Sequence, residues 1–181
     1  MAARLLTGVL AALLVQGCLI PQDDPLLPDL PPKRNTAPLL SDDSAAPAQQ
    51  GRTLFLGDGC LPKDRPFQIG VKDPDLGDDI RSRWFVDDLN FTQPSVEGNQ
   101  LPRPTSPERG IVTPLETLYA SKLFSAGPHY VTVVVADREF IPGGIELKLE
   151  TFDLPDGGSI PDSSKPAQHT WNVITDPSPC R

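Results

Sequence analysis

The run His129-Tyr130-Val131-Thr132-Val133-Val134-Val135-Ala136-Asp137 constrains this chain more than any other stretch. Its four valines and one threonine are β-branched, so they lose side-chain freedom in a helix and pack well on a pleated sheet. Because the run is apolar on parts of both faces, it reads as the central strand of a sheet. The 22 prolines and 14 glycines among 181 residues point the same way, since both residue types break helices and favour turns.

Shorter strands flank it. Arg52 to Leu56 reads as a strand closed by Gly57-Asp58-Gly59. Pro66 to Lys72 alternates, with Phe67, Ile69 and Val71 on one face. The segment from Asp73 to Asp79 is built from turn-forming residues. Ile80 to Val86 then places Ile80, Ser82, Trp84 and Val86 on one face and Arg81, Arg83 and Phe85 on the other. Residues 90–114 hold five prolines and little periodicity, and read as a long surface loop on which Phe85 and Phe91 are exposed. Leu115 to Phe124 carries at most a short element. Pro142-Gly143-Gly144 is a hairpin turn, after which Ile145 to Phe152 alternates with Ile145, Leu147 and Leu149 inward. The last strand is Gln168 to Thr175. About seven short strands with turns between them predict an all-β fold, a β-sandwich over residues 51–181.

The N-terminus has another character. Met1-Ala2-Ala3-Arg4 is followed by an apolar run from Leu5 to Val15 and then by Gln16-Gly17-Cys18. A basic start, a short apolar stretch and a small residue before the cut make a secretory signal; the run is shorter than the ~20 residues that cross a bilayer. Val15-Gln16-Gly17-Cys18 resembles the lipobox of bacterial lipoproteins. The resemblance implies that residues 1–17 are a signal peptide and that Cys18 is acylated and held in a bilayer. Leu19, in place of aspartate, implies the outer membrane by the sorting rule of enteric bacteria, with the protein facing the periplasm or the cell exterior. Residues 18–50 then form a tether. From residue 19 to residue 50 there are seven prolines and no aromatic residue, too little apolar surface to fold. At ~3 Å per residue the tether reaches up to ~100 Å. Of its Leu26-Leu27 and Leu39-Leu40 pairs, the second is able to open the first strand of the domain.

With Cys18 under lipid, Cys60 and Cys180 remain, and in an exported protein such a pair is most simply a disulfide. The chain-entropy view gives so long a loop about 4–5 kcal/mol. A redox or metal-binding pair lacks both the C-x-x-C spacing and companion histidines.

Phe67-x-Ile69-x-Val71-x-Asp73-Pro74-Asp75, then Arg83-Trp84-Phe85-Val86-Asp87, then Gly127-x-His129-x-Val131-Thr132-Val133-x-Val135-x-Asp137 resembles bacterial immunoglobulin-like domains of the PKD and cadherin-like kind. The resemblance implies an immunoglobulin-like sandwich in which Trp84 packs between the sheets. His129, with Tyr130 beside it, stands where such domains carry a corner tyrosine, and either ring is placed to make the corner hydrogen bond. Cadherin-like relatives hold calcium with aspartates, which implies a site from Asp73, Asp75, Asp78 and Asp137, with Asp79, Asp87 and Asp88 also at strand ends. Calcium takes six to eight hard oxygens; the plainer reading is that Asp, Pro and Gly simply form turns.

Little in the sequence is catalytic. It has no G-x-S-x-G, no H-E-x-x-H and no glycine-rich phosphate loop. Its two histidines, His129 and His169, lack a serine or cysteine neighbour that suggests a nucleophile pair, and read as structural. Asn90-Phe91-Thr92 matches a glycosylation acceptor by chance. Removing residues 1–17 takes away Arg4 and leaves 15 basic against 24 acidic side chains, which gives no electrostatic reason to bind nucleic acid. The expectation is a non-enzymatic binding or scaffold module without cofactor, lipid-anchored and partnered by an envelope protein or glycan. A calcium-dependent adhesion or glycan-binding module is the alternative, and an enzyme accessory subunit a further one.

Overall fold

The computed structural model of the chain describes residues 35–48, 52–103, 106–118, 123, 125–153, 157–161 and 164–176. The signal peptide, Cys18 and Cys180 lie outside them.

The protein is essentially all-β, and the described residues form ten strands: β1 (Leu39–Ala46), β2 (Leu54–Leu56), β3 (Gln68–Lys72), β4 (Arg81–Val86), β5 (Val96–Glu97), β6 (Glu108–Val112), β7 (Gly127–Ala136), β8 (Thr151–Asp153), β9 (Ser159–Pro161) and β10 (Ala167–Thr175). One sheet has the order β1-β3-β6 and the other β2-β10-β7-β4-β5, while β8 and β9 form a separate pair. The valine run is central, as its two apolar faces require: β7 lies between β10 and β4, antiparallel to both.

Between the sheets, Ile69, Val71 and Val112 meet Ile80, Trp84, Val131, Val133, Val135, Trp171 and Val173. Trp84 and Trp171 stack at 5.8 Å, and Phe67 meets Trp171 edge-on at 5.4 Å. The opposite face of β7 is covered too. Phe85, Val134, Ala136 and Phe140 form a second cluster, over which residues 138–147 fold back. Arg83 pins that flap: its Nε donates to Glu97 at 3.0 Å and its Nη1 to the carbonyls of Ile141 and Gly144, each at 2.8 Å. Its guanidinium also lies 4.8 Å from the Phe140 ring centre.

Several expectations need correction. The stretch 90–114 holds β5 and β6, and β6 is a full member of the first sheet. Its sequence, Glu108-Arg109-Gly110-Ile111-Val112, hides the strand because Arg109 turns inward (6% exposed) to meet buried Asp73, where a strand reading expects an apolar side chain. Phe85 is not exposed but 1% accessible, and packs against Phe91 with ring centres 5.2 Å apart. Pro142-Gly143-Gly144 does turn the chain: Gly143 and Gly144 have φ of 79° and 71°, the left-handed pair that a tight hairpin asks for. Pairing ends soon after it, with Lys148 N–H donating to the Glu139 carbonyl at 2.8 Å, and Leu149 is 77% exposed rather than inward.

The strand β1 occupies part of the stretch read as tether and starts at Leu39, first of the second leucine pair. It is kinked where Ser44 replaces a backbone rung, its Oγ donating to the Ser41 carbonyl and accepting from Gly70 N–H, both at 2.8 Å. Beyond it the Pro47 carbonyl accepts the Trp171 indole N–H at 2.9 Å, so this segment joins both sheets.

Candidate functional site

The strand directions bring the end of β3, the starts of β4 and β6 and the end of β7 to one pole of the sandwich. Asp73, Asp75 and Asp78 offer carboxylate oxygens within 4.8 Å of one another there. Asp137, at the end of β7, is close enough to act on the ionisation of Asp73 and Asp78. Of the four residues named from the sequence, three thus group their carboxylates and Asp137 lies within range of their charge. Asp79 instead faces Arg103 at 3.4 Å, and Asp87 and Asp88 follow β4 at the opposite pole.

The pole has its own internal cation. Arg109, whose side chain is fully buried together with that of Asp73, donates from Nη1 to Asp73 Oδ2 and to the Asp75 carbonyl, each at 3.1 Å. Its Nη2 donates to the Asp78 carbonyl. One carboxylate and two carbonyls around a positive centre is a hard-oxygen donor set of the kind a metal ion takes, here filled by guanidinium. The remaining carboxylates are tied into the loop. Asp73 Oδ1 accepts the Asp75 N–H at 2.8 Å, Asp75 Oδ2 accepts the Thr36 N–H at 2.6 Å and Asp137 Oδ2 accepts from Asn35 Nδ2 at 2.8 Å. Arg138 Nε lies 3.4 Å from Asp137.

Two guanidiniums face four carboxylates, and the imbalance appears in the ionisation. Burial, and then the charges of Asp137, Asp73, Asp75 and Glu150, push the Asp78 carboxyl up to about 6. Asp73 is also raised, because burial outweighs the Asp75 N–H bond and the Arg109 charge that favour its anion.

The opposite pole holds an arrangement that the sequence did not announce. His129 Nδ1 lies 2.6 Å from Asp87 Oδ2, and its Nε2 lies 3.0 Å from the Ser125 carbonyl and 3.3 Å from Ser125 Oγ. A histidine between an aspartate and a serine has the outline of a nucleophile relay, and the spacing Ser125-x-x-x-His129 is its only trace in the sequence. The hydrogen bonds assign it otherwise. A carboxylate and a carbonyl both accept, so the protonated ring, donating from both nitrogens, satisfies both, and in that form it has no lone pair to serve as base. Burial works against that charge, but the Asp87 hydrogen bond, the Ser125 carbonyl and the Asp87 charge prevail and raise the His129 pKa. Asp87 also accepts the Tyr130 N–H at 2.9 Å. Tyr130 is 43% exposed, so His129 is the ring that ties the strand entrance back to the chain before it. His169 stands apart, edge-on to Trp171 at 4.4 Å, with Nδ1 3.0 Å from Asp42.

No family model matches this chain, and neither a curated protein nor a solved structure matches it.

Proposed function

We propose that this protein is a lipoprotein, anchored through Cys18, that presents a non-catalytic immunoglobulin-like module for binding or scaffolding in the bacterial envelope. The observation that carries the reading is the strand order. Taking β1, β3, β4, β5, β6, β7 and β10 as A, B, C, C′, E, F and G, the sheets become A-B-E and β2-G-F-C-C′, with β2 an added edge strand parallel to G, and the rest follow the division of strands in immunoglobulin domains. Trp84 on strand C is 0% exposed between the sheets, and His129 near the start of strand F bonds to a backbone carbonyl four residues upstream as a corner tyrosine does. That fold hosts many functions, and the commitment of His129 to structural bonds favours binding over catalysis. The Cys60–Cys180 disulfide is part of the same proposal: β2 runs parallel to β10 with Leu56 beside Thr175, and Cys60 and Cys180 stand four and five residues after these in the sequence. Cross-linking in intact cells, then purification through a C-terminal tag and mass spectrometry, tests the module. A partner recovered in comparable amount supports it, and recovery of the protein alone counts against it.

A second reading, calcium-dependent adhesion, is favoured by the assembled carboxylates of Asp73, Asp75 and Asp78. A melting temperature that calcium raises more than magnesium does supports this reading; equal shifts from the two ions remove it.

A further inference from the structure

At the pole opposite Asp73, the chain leaving β4 makes a turn that Asp88 closes. Asp88 Oδ1 accepts the Asn90 N–H at 3.1 Å. Its Oδ2 accepts the Thr92 N–H at 2.8 Å, the Thr92 hydroxyl at 2.9 Å and the Gln93 N–H at 3.0 Å. Phe91 has a φ of 54° and sets its ring edge-on against buried Phe85. Asn90 lies between Asp88 and Phe91 in this turn and is exposed.

From the sequence alone, Asn90-Phe91-Thr92 reads as a coincidental match to the acceptor pattern of N-glycosylation. The fold removes the ordinary reasons for an asparagine at position 90. Asparagine serves turns by bonding its side chain to nearby backbone and by tolerating the left-handed conformation. Here Asp88 supplies the side-chain acceptor, and Asn90 joins the network only through its own N–H; its carboxamide makes no hydrogen bond among the described residues. The left-handed position is taken by Phe91, a bulky residue for which a positive φ is an outlier. Such an outlier persists only where its surroundings hold it, and it is a feature of functional segments.

The turn therefore presents a free, exposed carboxamide on a frame fixed by the Asp88 bonds and by the Phe91–Phe85 contact. Thr92 carries the hydroxyl that the acceptor pattern needs two residues on, and Phe91 meets its requirement that the middle residue not be proline. That hydroxyl gives its proton to Asp88, which leaves its oxygen lone pairs to accept a donor from a transferase. The position also suits a bulky substituent. Asn35 and Thr36 are bonded to Asp137 and Asp75 at the other pole, so Asn90 stands at the end of the domain away from the N-terminal side. Leu89 beside it is 59% exposed, an apolar surface that a sugar chain would cover.

We infer that Asn90 is an N-glycosylation site of the exported protein. The donor is a glycan joined through diphosphate to a polyprenyl lipid, and a membrane transferase brings the two together. The Asn90 carboxamide nitrogen attacks the anomeric carbon. One C–N bond forms, the anomeric C–O bond to diphosphate breaks, polyprenyl diphosphate leaves with the electron pair, and the nitrogen gives up one proton. Such a site goes beyond the binding-module reading and shares with it only the need for export.

The test is mass spectrometry of tryptic peptides from the C-terminally tagged protein, purified in detergent from the cells that make it. The expected result is a peptide spanning Asn90 that is heavier by one glycan and releases sugar oxonium ions on fragmentation. Thr92→Ser should keep the sugar, Thr92→Val should cut the modified fraction tenfold or more, and Asn90→Gln should abolish it. Since Asn90 has no side-chain bond to lose, Asn90→Gln should keep the melt of the wild-type chain. A bare Asn90 in the wild-type protein overturns the proposal, as does sugar on this peptide that survives Asn90→Gln or is undiminished in Thr92→Val. The same digest reads the N-terminus. A chain starting at acylated Cys18 with a bare Asn90 removes the glycan alone, and a chain keeping residues 1–17 with a bare Asn90 removes the lipid anchor with it.

Discussion

Arg109→Met should unfold this domain more readily than any surface change, through the charge left behind rather than through lost packing. Methionine keeps the unbranched stem and removes the guanidinium, so the change deletes one ion pair and two charged bonds to the Asp75 and Asp78 carbonyls. Hydrogen bonds to charged groups contribute about 1.5–3 kcal/mol each, but the three share one group and do not add. Breaking a buried pair by removing one partner costs about 3–5 kcal/mol. For a domain of this size, at roughly 3–4 °C per kcal/mol, the melting temperature should fall by about 10–20 °C. The assay is urea unfolding of wild type, Arg109→Met, Asp73→Asn and the double variant at pH 7.5. If the stranded carboxylate is the source of the cost, Asp73→Asn should recover part of the loss in the Arg109→Met background while costing stability alone. The Arg109→Met deficit should also shrink toward pH 4, as Asp73 takes a proton. A loss below 1 kcal/mol, or an Asp73→Asn change that deepens the deficit, would refute the reasoning.

Other perturbations read other parts of the fold. Asp78 has a folded-state pKa of about 6 against an ordinary value of 3.8, so its contribution is fully present below pH ~4 and is lost as pH rises through 6. Asp78→Asn should therefore stabilise the protein at pH 7.5 by about 1–2 kcal/mol, solvent screening allowed for, and flatten stability between pH 4 and 6.5 in thermal melts. The raised pKa of His129 works likewise in a higher window: the clamp to Asp87 and Ser125 is fully made below pH ~6.5 and loosens as pH rises through the folded-state value. His129→Gln should remove that alkaline decline in stability between pH 6 and 9. Cys60→Ser should lower stability by about 2–5 kcal/mol if Cys60 pairs with Cys180; two freely alkylated thiols in the unfolded, unreduced protein would rule the pairing out.

What could be read from the sequence followed from periodicity. β3, β4, β7 and β10 lie where apolar alternation or the valine run put them, because each packs one face or both against the tryptophan core. Trp84 does pack between the sheets, and Asp73, Asp75 and Asp78 come together, with Asp137 at the same pole. β6 escaped because its inward residue is Arg109, and a buried arginine is intelligible only once Asp73, distant in sequence, is beside it. Of β1 only the opening at Leu39-Leu40 was legible, because its kink is carried by Ser44, which alternation cannot register. Ile145 and Leu147 do pack against the second cluster as the alternation expects, but the pairing with residues 139–141 stops at Lys148, and Leu149 stays in solvent. The Ser125–His129–Asp87 contact depends on how the chain is brought together, which local composition does not encode.

The crossing of β1 from one sheet toward the other has a mechanical consequence. A pull from the N-terminal side enters at Asn35 and Thr36, which are bonded to Asp137 and Asp75, and passes along the axis of β1. Because β10 ends at Thr175 beside Gly127, at the pole opposite the start of β1 beside Lys72, a load between the two runs along the strands and acts across the β1–β3 hydrogen bonds in shear, straining them together, instead of peeling them one after another. Past the kink at Ser44, the Pro47–Trp171 bond hands the residual tension to the second sheet. A domain joined to its surroundings at this end is strapped across both layers and yields as a unit.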